Sequence, residues 1–278
     1  MFIEGLNRLM GVYISAAKTI WRISVWGPFF ILFLMQLLLL ACLNNYVNPH
    51  LYPLLYPLVS LLGDSRVDIM AHYPGLYLVL PSVFQYGKLA LGILFEGLIT
   101  GITVIAFLKI FAGSKYSGLN IKSAIRQWHN LLLCWVVISA VLYALNSLIP
   151  PFFTEQMYGS PRRQMLFDLG MGLMTTIFYA LFIYSLPIII ISGRNFIAAI
   201  IKSLSYFRKY PIFSFFIALI AYLITLPASF LSARSETIVD KFTPEMVFYV
   251  LAFGLVLDLL INILLTGALT KFLSDESN

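Results

Sequence analysis

Six stretches of this chain are apolar for about 20 residues or more, near 25–44, 87–111, 130–149, 165–191, 211–232 and 246–270. Crossing ~30 Å of hydrocarbon takes about 20 helical residues, so the pattern predicts six transmembrane helices. Composition agrees: of 278 residues, 60% are hydrophobic and 11% charged. Soluble domains run at roughly 45–50% apolar and about 25% charged. The longest stretch between runs, 45–86, is itself apolar and broken by prolines. Little is left over for a soluble module. The expected fold is therefore an all-α membrane protein, a single integral membrane domain over 1–278.

The charged residues lie at the edges of these runs. Assigning loops to alternate sides, Arg66, Lys88, Arg162, Arg163, Arg234 and Lys241 fall on one side and the other 12 of the 18 Lys and Arg on the opposite one. With short loops, that bias predicts both termini in the cytosol, in a cell (inner) membrane. The net charge of +6 is dispersed rather than gathered in one patch, which argues against a nucleic-acid partner.

Each cytosolic entry to the membrane carries a helical pattern with two faces. In the first, Arg8, Gly11, Ser15, Lys18 and Arg22 form one stripe, and Met10, Tyr13, Ile14, Ala17, Ile20 and Trp21 the other. In the second, Lys122, Arg126 and His129 oppose Ile121, Ile125 and Trp128. In the third, Arg194, Lys202, Ser205 and Lys209 oppose Ile197, Ile200, Ile201, Leu204 and Phe207. Such helices lie in the interface, with Trp21 at headgroup depth and cations toward anionic lipid. They run into spans at Trp26-Gly-Pro28, at Asn130 and at Tyr210-Pro211, where a proline or small residue permits a bend. The expected repeating unit is an amphipathic interfacial helix on the cytosolic side followed by a transmembrane hairpin. Three such units tile the chain, near 1–112, 113–192 and 193–278.

The residues Ser15-Ala-Ala-Lys18, Ile121-Lys-Ser-Ala-Ile-Arg126 and Ala198-Ala-Ile-Ile-Lys-Ser-Leu204, with the turn Arg208-Lys-Tyr-Pro211, carry a resemblance. The chain resembles the multi-pass integral membrane domain that accompanies bacterial glycerophosphodiester phosphodiesterases, and related uncharacterised six-span proteins. The resemblance covers nearly the whole chain at the level of pattern. It implies an all-helical bundle and says little about activity. No segment here has the make-up of the soluble phosphodiesterase barrel.

Two runs echo each other. Gly92-Ile-Leu-Phe-Glu96 is followed by Lys109, and Gly254-Leu-Val-Leu-Asp258 by Lys271, with the same spacings. A carboxylate inside an apolar run is expensive and points to a function or to a partner. Thr100 and Thr103 share a helix face with Glu96, as Asn262 and Thr266 do with Asp258. Gly97, Gly101, Gly254 and Gly267 beside them allow close helix approach. One reading is a polar track that carries protons or binds a cation or lipid headgroup. The other is that each acid is protonated or hydrogen-bonded and only fixes packing. The fourth span has no acid at the matching place. Asp168, near that span's mouth, is expected to pair with Arg162 or Arg163.

The remaining motifs are few. Cys42 and Cys134 give neither a disulfide framework nor metal spacing. His50, His72 and His129 are scattered over different loops, without metal-ligand spacing. No catalytic triad order, zinc motif or phosphate-cradling loop occurs. No metal, cofactor or catalytic residue is expected, and the chain does not read as an enzyme. Arg8, Lys18, Trp21, Lys109, Lys122, Arg126, Lys202, Lys209 and Lys271 read as lipid-interface anchors. The Tyr/Pro-rich Leu51-Tyr-Pro-Leu-Leu-Tyr-Pro-Leu58 reads either as a lid on the membrane surface or as a gate or docking surface. The expected function is a non-enzymatic, lipid-interacting accessory or scaffold subunit of a membrane assembly, with anionic lipids and another membrane protein as partners. A transporter or lipid-handling carrier using Glu96 and Asp258 is the alternative.

Overall fold

A computed structural model of the chain describes residues 2–61, 63–116, 118–153 and 160–276. These residues are helical almost throughout, and no strand occurs among them. In chain order the helices are α1 (Phe2–Thr19), α2 (Ile23–Asn44), α3 (Tyr52–Ser60), α4 (Asp64–Met70) and α5 (Gly75–Leu91). A π turn, Gly92–Glu96, continues α5 into α6 (Gly97–Phe111). Then come α7 (Ile121–Arg126), α8 (Trp128–Leu148), α9 (Pro161–Phe182) and α10 (Ser185–Ser192). The last four are α11 (Phe196–Lys209), α12 (Pro211–Ser232), α13 (Ser235–Lys241) and α14 (Met246–Glu276). Six stretches are long and apolar enough to cross a membrane: α2, α5 through α6, α8 with the turn after it, α9 with α10, α12, and α14. That is the make-up of a multi-pass membrane protein.

Helix limits differ from the sequence expectation where proline was read as a breaker. The second span begins at Gly75, not near 87, and Pro81 lies inside α5. Proline's φ near −65° is already helical, so its cost is one lost hydrogen bond and crowding of the carbonyl four residues back. Buried Leu80, Val83 and Phe84 around it supply packing that offsets this. Pro28 likewise sits within α2, and the break after α1 falls at 20–22. In the fourth span the reverse holds: a break at Ile183 and Tyr184 interrupts a run expected to be continuous. Pro187, four residues beyond Ile183, explains it. The Ser203 hydroxyl donates to the nearby Leu181 carbonyl at 2.7 Å, which helps satisfy backbone exposed by the interruption.

The chain divides into two compact units. The larger comprises residues 1–28, 95–223 and 262–278, and the smaller residues 29–94 and 224–261. The larger unit's core gathers Leu9 and Val12 of α1, Leu108 of α6, Leu131 of α8, Ile189 of α10, Ile217 of α12 and Phe272 of α14. Phe272 is fully buried and stacks on Phe213 with ring centroids 4.4 Å apart. Helices approach closely at glycines: a Cβ on Gly97 would stand 3.0 Å from the Leu131 carbonyl oxygen. One on Gly267 would stand 2.5 Å from Phe107 Cζ and 2.8 Å from Ala16 Cβ.

The smaller unit packs Leu40 and Leu43 of α2, Val59 of α3, Met70 of α4 and Leu80 of α5 with Ile238 and Val247. The Tyr/Pro-rich stretch is helical here. Leu55 and Val59 are its buried residues, while Leu54, Tyr52 and Tyr56 are exposed.

Candidate functional site

Lys88 lies 13 residues beyond the start of α5 and Asp258 12 beyond the start of α14, about 20 Å and about 18 Å along their helices. Both belong to the smaller unit, and the Lys88 ammonium donates to Asp258 Oδ2 in an ion pair. A lone charge in an apolar run is expensive, whereas two opposite charges in contact relieve one another. The pair retains access to its surroundings, with the Lys88 side chain 36% exposed and that of Asp258 27%.

The pair borders a cavity of about 610 Å³ whose lining residues all belong to this unit. Ser82 and Gln85 line it from α5, Thr225, Ser229 and Ser232 from α12, and Gly254 from α14. The serines bond to their own helices. Ser82 Oγ donates to the Val79 carbonyl at 2.8 Å, Ser229 to Leu226 at 3.0 Å and Ser232 to Ser229 at 3.0 Å. Their oxygens keep acceptor capacity, and the exposed Gln85 amide adds two donors and an acceptor. Gly254 brings α14 close to α12, a Cβ there standing 3.5 Å from Ala228 Cβ.

The other expected polar residues fall in the larger unit. Glu96 ends the π turn, is half-buried and has Tyr179 as an electrostatic neighbour. Thr100 and Thr103 are buried on α6, and Thr103 Oγ1 has no hydrogen-bond partner among the described residues. Asn262 is half-buried; Thr266 is buried, and its carbonyl accepts the Thr270 hydroxyl at 2.7 Å. Glu96 and Asp258, matched in sequence, thus belong to different units. Among the described residues no ion pair joins Asp168 to Arg162 or Arg163; Tyr222 is instead its electrostatic neighbour.

Three of the expected lipid anchors have protein partners. Glu276, at the end of α14, accepts from Arg8 Nη2 at 2.6 Å, from the Tyr210 hydroxyl at 2.5 Å and from Lys209 Nζ at 3.2 Å. The Arg8 guanidinium also lies 4.6 Å from the Phe272 ring centroid. Burial opposes the Arg8 charge, but Glu276 and Tyr210 outweigh it and raise its pKa. Hydrogen bonding to Tyr210 and Glu276 likewise raises that of Lys209. Lys271 pairs with Asp275 at 2.7 Å, one helical turn on. Lys18, Trp21, Lys109, Lys122 and Arg126 are exposed, and Lys202 is half-exposed with its ammonium 5.9 Å from the Tyr206 ring centroid.

Sequence reasoning did not join Lys88 to Asp258, although a span acid asks for a cation at its own depth on another helix. Glu276 gave no signal, because terminal acids are common and its three partners lie far away in sequence. Comparison with protein-family models, with curated proteins and with solved structures gave no significant match, so function is argued from this chemistry alone.

Proposed function

We propose that the protein is a non-enzymatic, lipid-interacting accessory or scaffold subunit of a membrane assembly. In this reading it sits in the cell (inner) membrane with both termini in the cytosol. Its spans form three hairpin units, each preceded by an amphipathic helix in the cytosolic interface. The same organisation motivates a relationship to the membrane domain that accompanies glycerophosphodiester phosphodiesterases.

One observation carries the reading: large apolar side chains and cations are exposed together on the same helices. Met10 and Ile14 accompany Lys18 on α1, with Trp21 just beyond its end; Ile121 and Ile125 accompany Lys122 and Arg126 on α7, with Trp128 opening α8; Ile197, Ile201 and Leu204 accompany Arg208 and Lys209 on α11. Apolar surface beside cationic surface suits the boundary of acyl chains and anionic headgroups. Purification in mild detergent, with mass spectrometry of proteins and lipids, tests it. Retained anionic lipid and a stoichiometric partner are expected. A protein recovered alone and free of lipid would contradict the proposal.

The cavity at Lys88 and Asp258 favours a second reading, a carrier for lipids or other amphiphiles. There, Glu96→Gln and Asp258→Asn should abolish a flux while the protein still accumulates, and unchanged flux in both variants would end it.

A further inference from the structure

We infer that the cavity around Lys88 and Asp258 binds a zwitterion that joins a phosphate-type anion to a primary ammonium. The inference rests on the lipid-interacting reading and names the ligand class of one site within it.

Charge balance is the first argument. The site holds one cation and one anion in direct contact, within helices whose neighbouring residues are apolar. A purely anionic ligand at Lys88 would strip Asp258 of its partner and leave an uncompensated carboxylate within an apolar helical run. A purely cationic ligand would do the same to Lys88. A zwitterion inserts between them, its anion replacing Asp258 at the ammonium and its ammonium replacing Lys88 at the carboxylate. Every charge then keeps an opposite neighbour.

The wall chemistry follows the same division. The Gln85 amide supplies neutral donors for further phosphate oxygens. Ser82, Ser229 and Ser232 have hydroxyl hydrogens directed to backbone carbonyls, so their oxygens are placed to accept from an ammonium. A primary ammonium has three donors for such acceptors; a quaternary one has none. Size is consistent too, since about 610 Å³ lies within the roughly 300–1,000 Å³ of ligand sites. It exceeds what a lone ion needs. Two sources share this chemistry, a membrane phosphatidylethanolamine and free phosphoethanolamine.

Native mass spectrometry of the detergent-solubilised full chain separates them. The probes are phosphatidylethanolamine, phosphatidylglycerol with the same acyl chains, and phosphoethanolamine. Two variants are compared with wild type: Lys88→Met/Asp258→Met, which removes both charges together, and Ala233→Trp, which fills part of the exposed cavity wall and keeps both charged residues. Size-exclusion profiles establish that each is folded, and Ala233→Trp decides the matter if the double variant is not. The expected result is one phosphatidylethanolamine site weakened about tenfold or more in either folded variant, with phosphatidylglycerol retention unchanged. Phosphoethanolamine binding with the same variant sensitivity, and no lipid retained, would support the zwitterion site while removing the lipid-interacting reading. Equal zwitterion binding by wild type and folded variants would overturn the inference, and the lipid-interacting reading would then stand or fall on retained phosphatidylglycerol. A wild-type preference for phosphatidylglycerol that either folded variant abolishes would overturn it as well.

Discussion

Glu276→Gln tests a polar cluster of the larger unit in which one carboxylate accepts from Arg8, Tyr210 and Lys209. The wild-type carboxylate receives two short bonds, from Arg8 at 2.6 Å and Tyr210 at 2.5 Å. Hydrogen bonds to charged groups are worth about 1.5–3 kcal/mol each. The Glu276 side chain is only 15% exposed, but that of Arg8 is 36% exposed, so solvent screens part of the pair. Glutamine keeps one acceptor oxygen, presents an NH₂ where the other oxygen stood, and leaves Arg8 over the Phe272 ring without its counter-charge. Together these predict a loss of about 2–3 kcal/mol. The assay is equilibrium unfolding in mixed detergent and dodecyl sulfate micelles, read by tryptophan fluorescence. A double-mutant cycle with Arg8→Met should return a coupling energy above about 1 kcal/mol. Lys209→Gln serves as the comparison: that side chain is 64% exposed, so losing its 3.2 Å bond to Glu276 should shift the midpoint less than Glu276→Gln does. A Glu276→Gln protein within about 0.5 kcal/mol of wild type, or a coupling energy of zero, would show that these bonds do not stabilise the fold.

Two further substitutions probe the helix contacts. Gly97→Ala places a Cβ 3.0 Å from the Leu131 carbonyl oxygen; backbone cannot rotate away, so a loss of about 1–3 kcal/mol is expected in the same unfolding assay. Ser203→Ala removes the donor to Leu181 beside the break between α9 and α10. It should cost about 1–3 kcal/mol and speed amide exchange near 181–184. Exchange unchanged from wild type would mean that water or another group already satisfies that carbonyl.

The all-helical class and the six apolar spans were legible because a bilayer demands so much of a sequence. A run such as 211–232 has one helical solution, and its proline at 211 marks the start of α12 as expected. Proline inside a span was read too strictly. Pro81 and Pro28 are accommodated within helices, whereas Pro187 accompanies a break four residues earlier. The three differ in surroundings that no local pattern encodes. At Pro187 the Tyr184 hydroxyl lies 2.8 Å from Ser214 Oγ and Ser203 reaches Leu181, so polar groups from α12 and α11 are at hand where the helix is interrupted. At Pro81 the buried Leu80, Val83 and Phe84 pack along one continuous helix, α5, and that packing offsets the lost hydrogen bond.

The paired acids show why a site is harder to read than a span. Internal echo groups Glu96 with Asp258, since both follow a glycine by four residues. Physical grouping follows depth and charge instead, and it joins Asp258 to Lys88, which lies 170 positions away and belongs to no repeated motif. The cost of an isolated carboxylate in hydrocarbon favours a partner, but that preference constrains height along the bilayer normal, not position in the chain. Once the pair is formed, its closeness to neutrality changes what the cavity can hold. A lone Asp258 would favour a proton or a metal cation; Asp258 held by Lys88 favours a ligand bearing both charges. The chemistry of the site thus comes from a residue that its own sequence neighbourhood presents as an ordinary loop-side lysine.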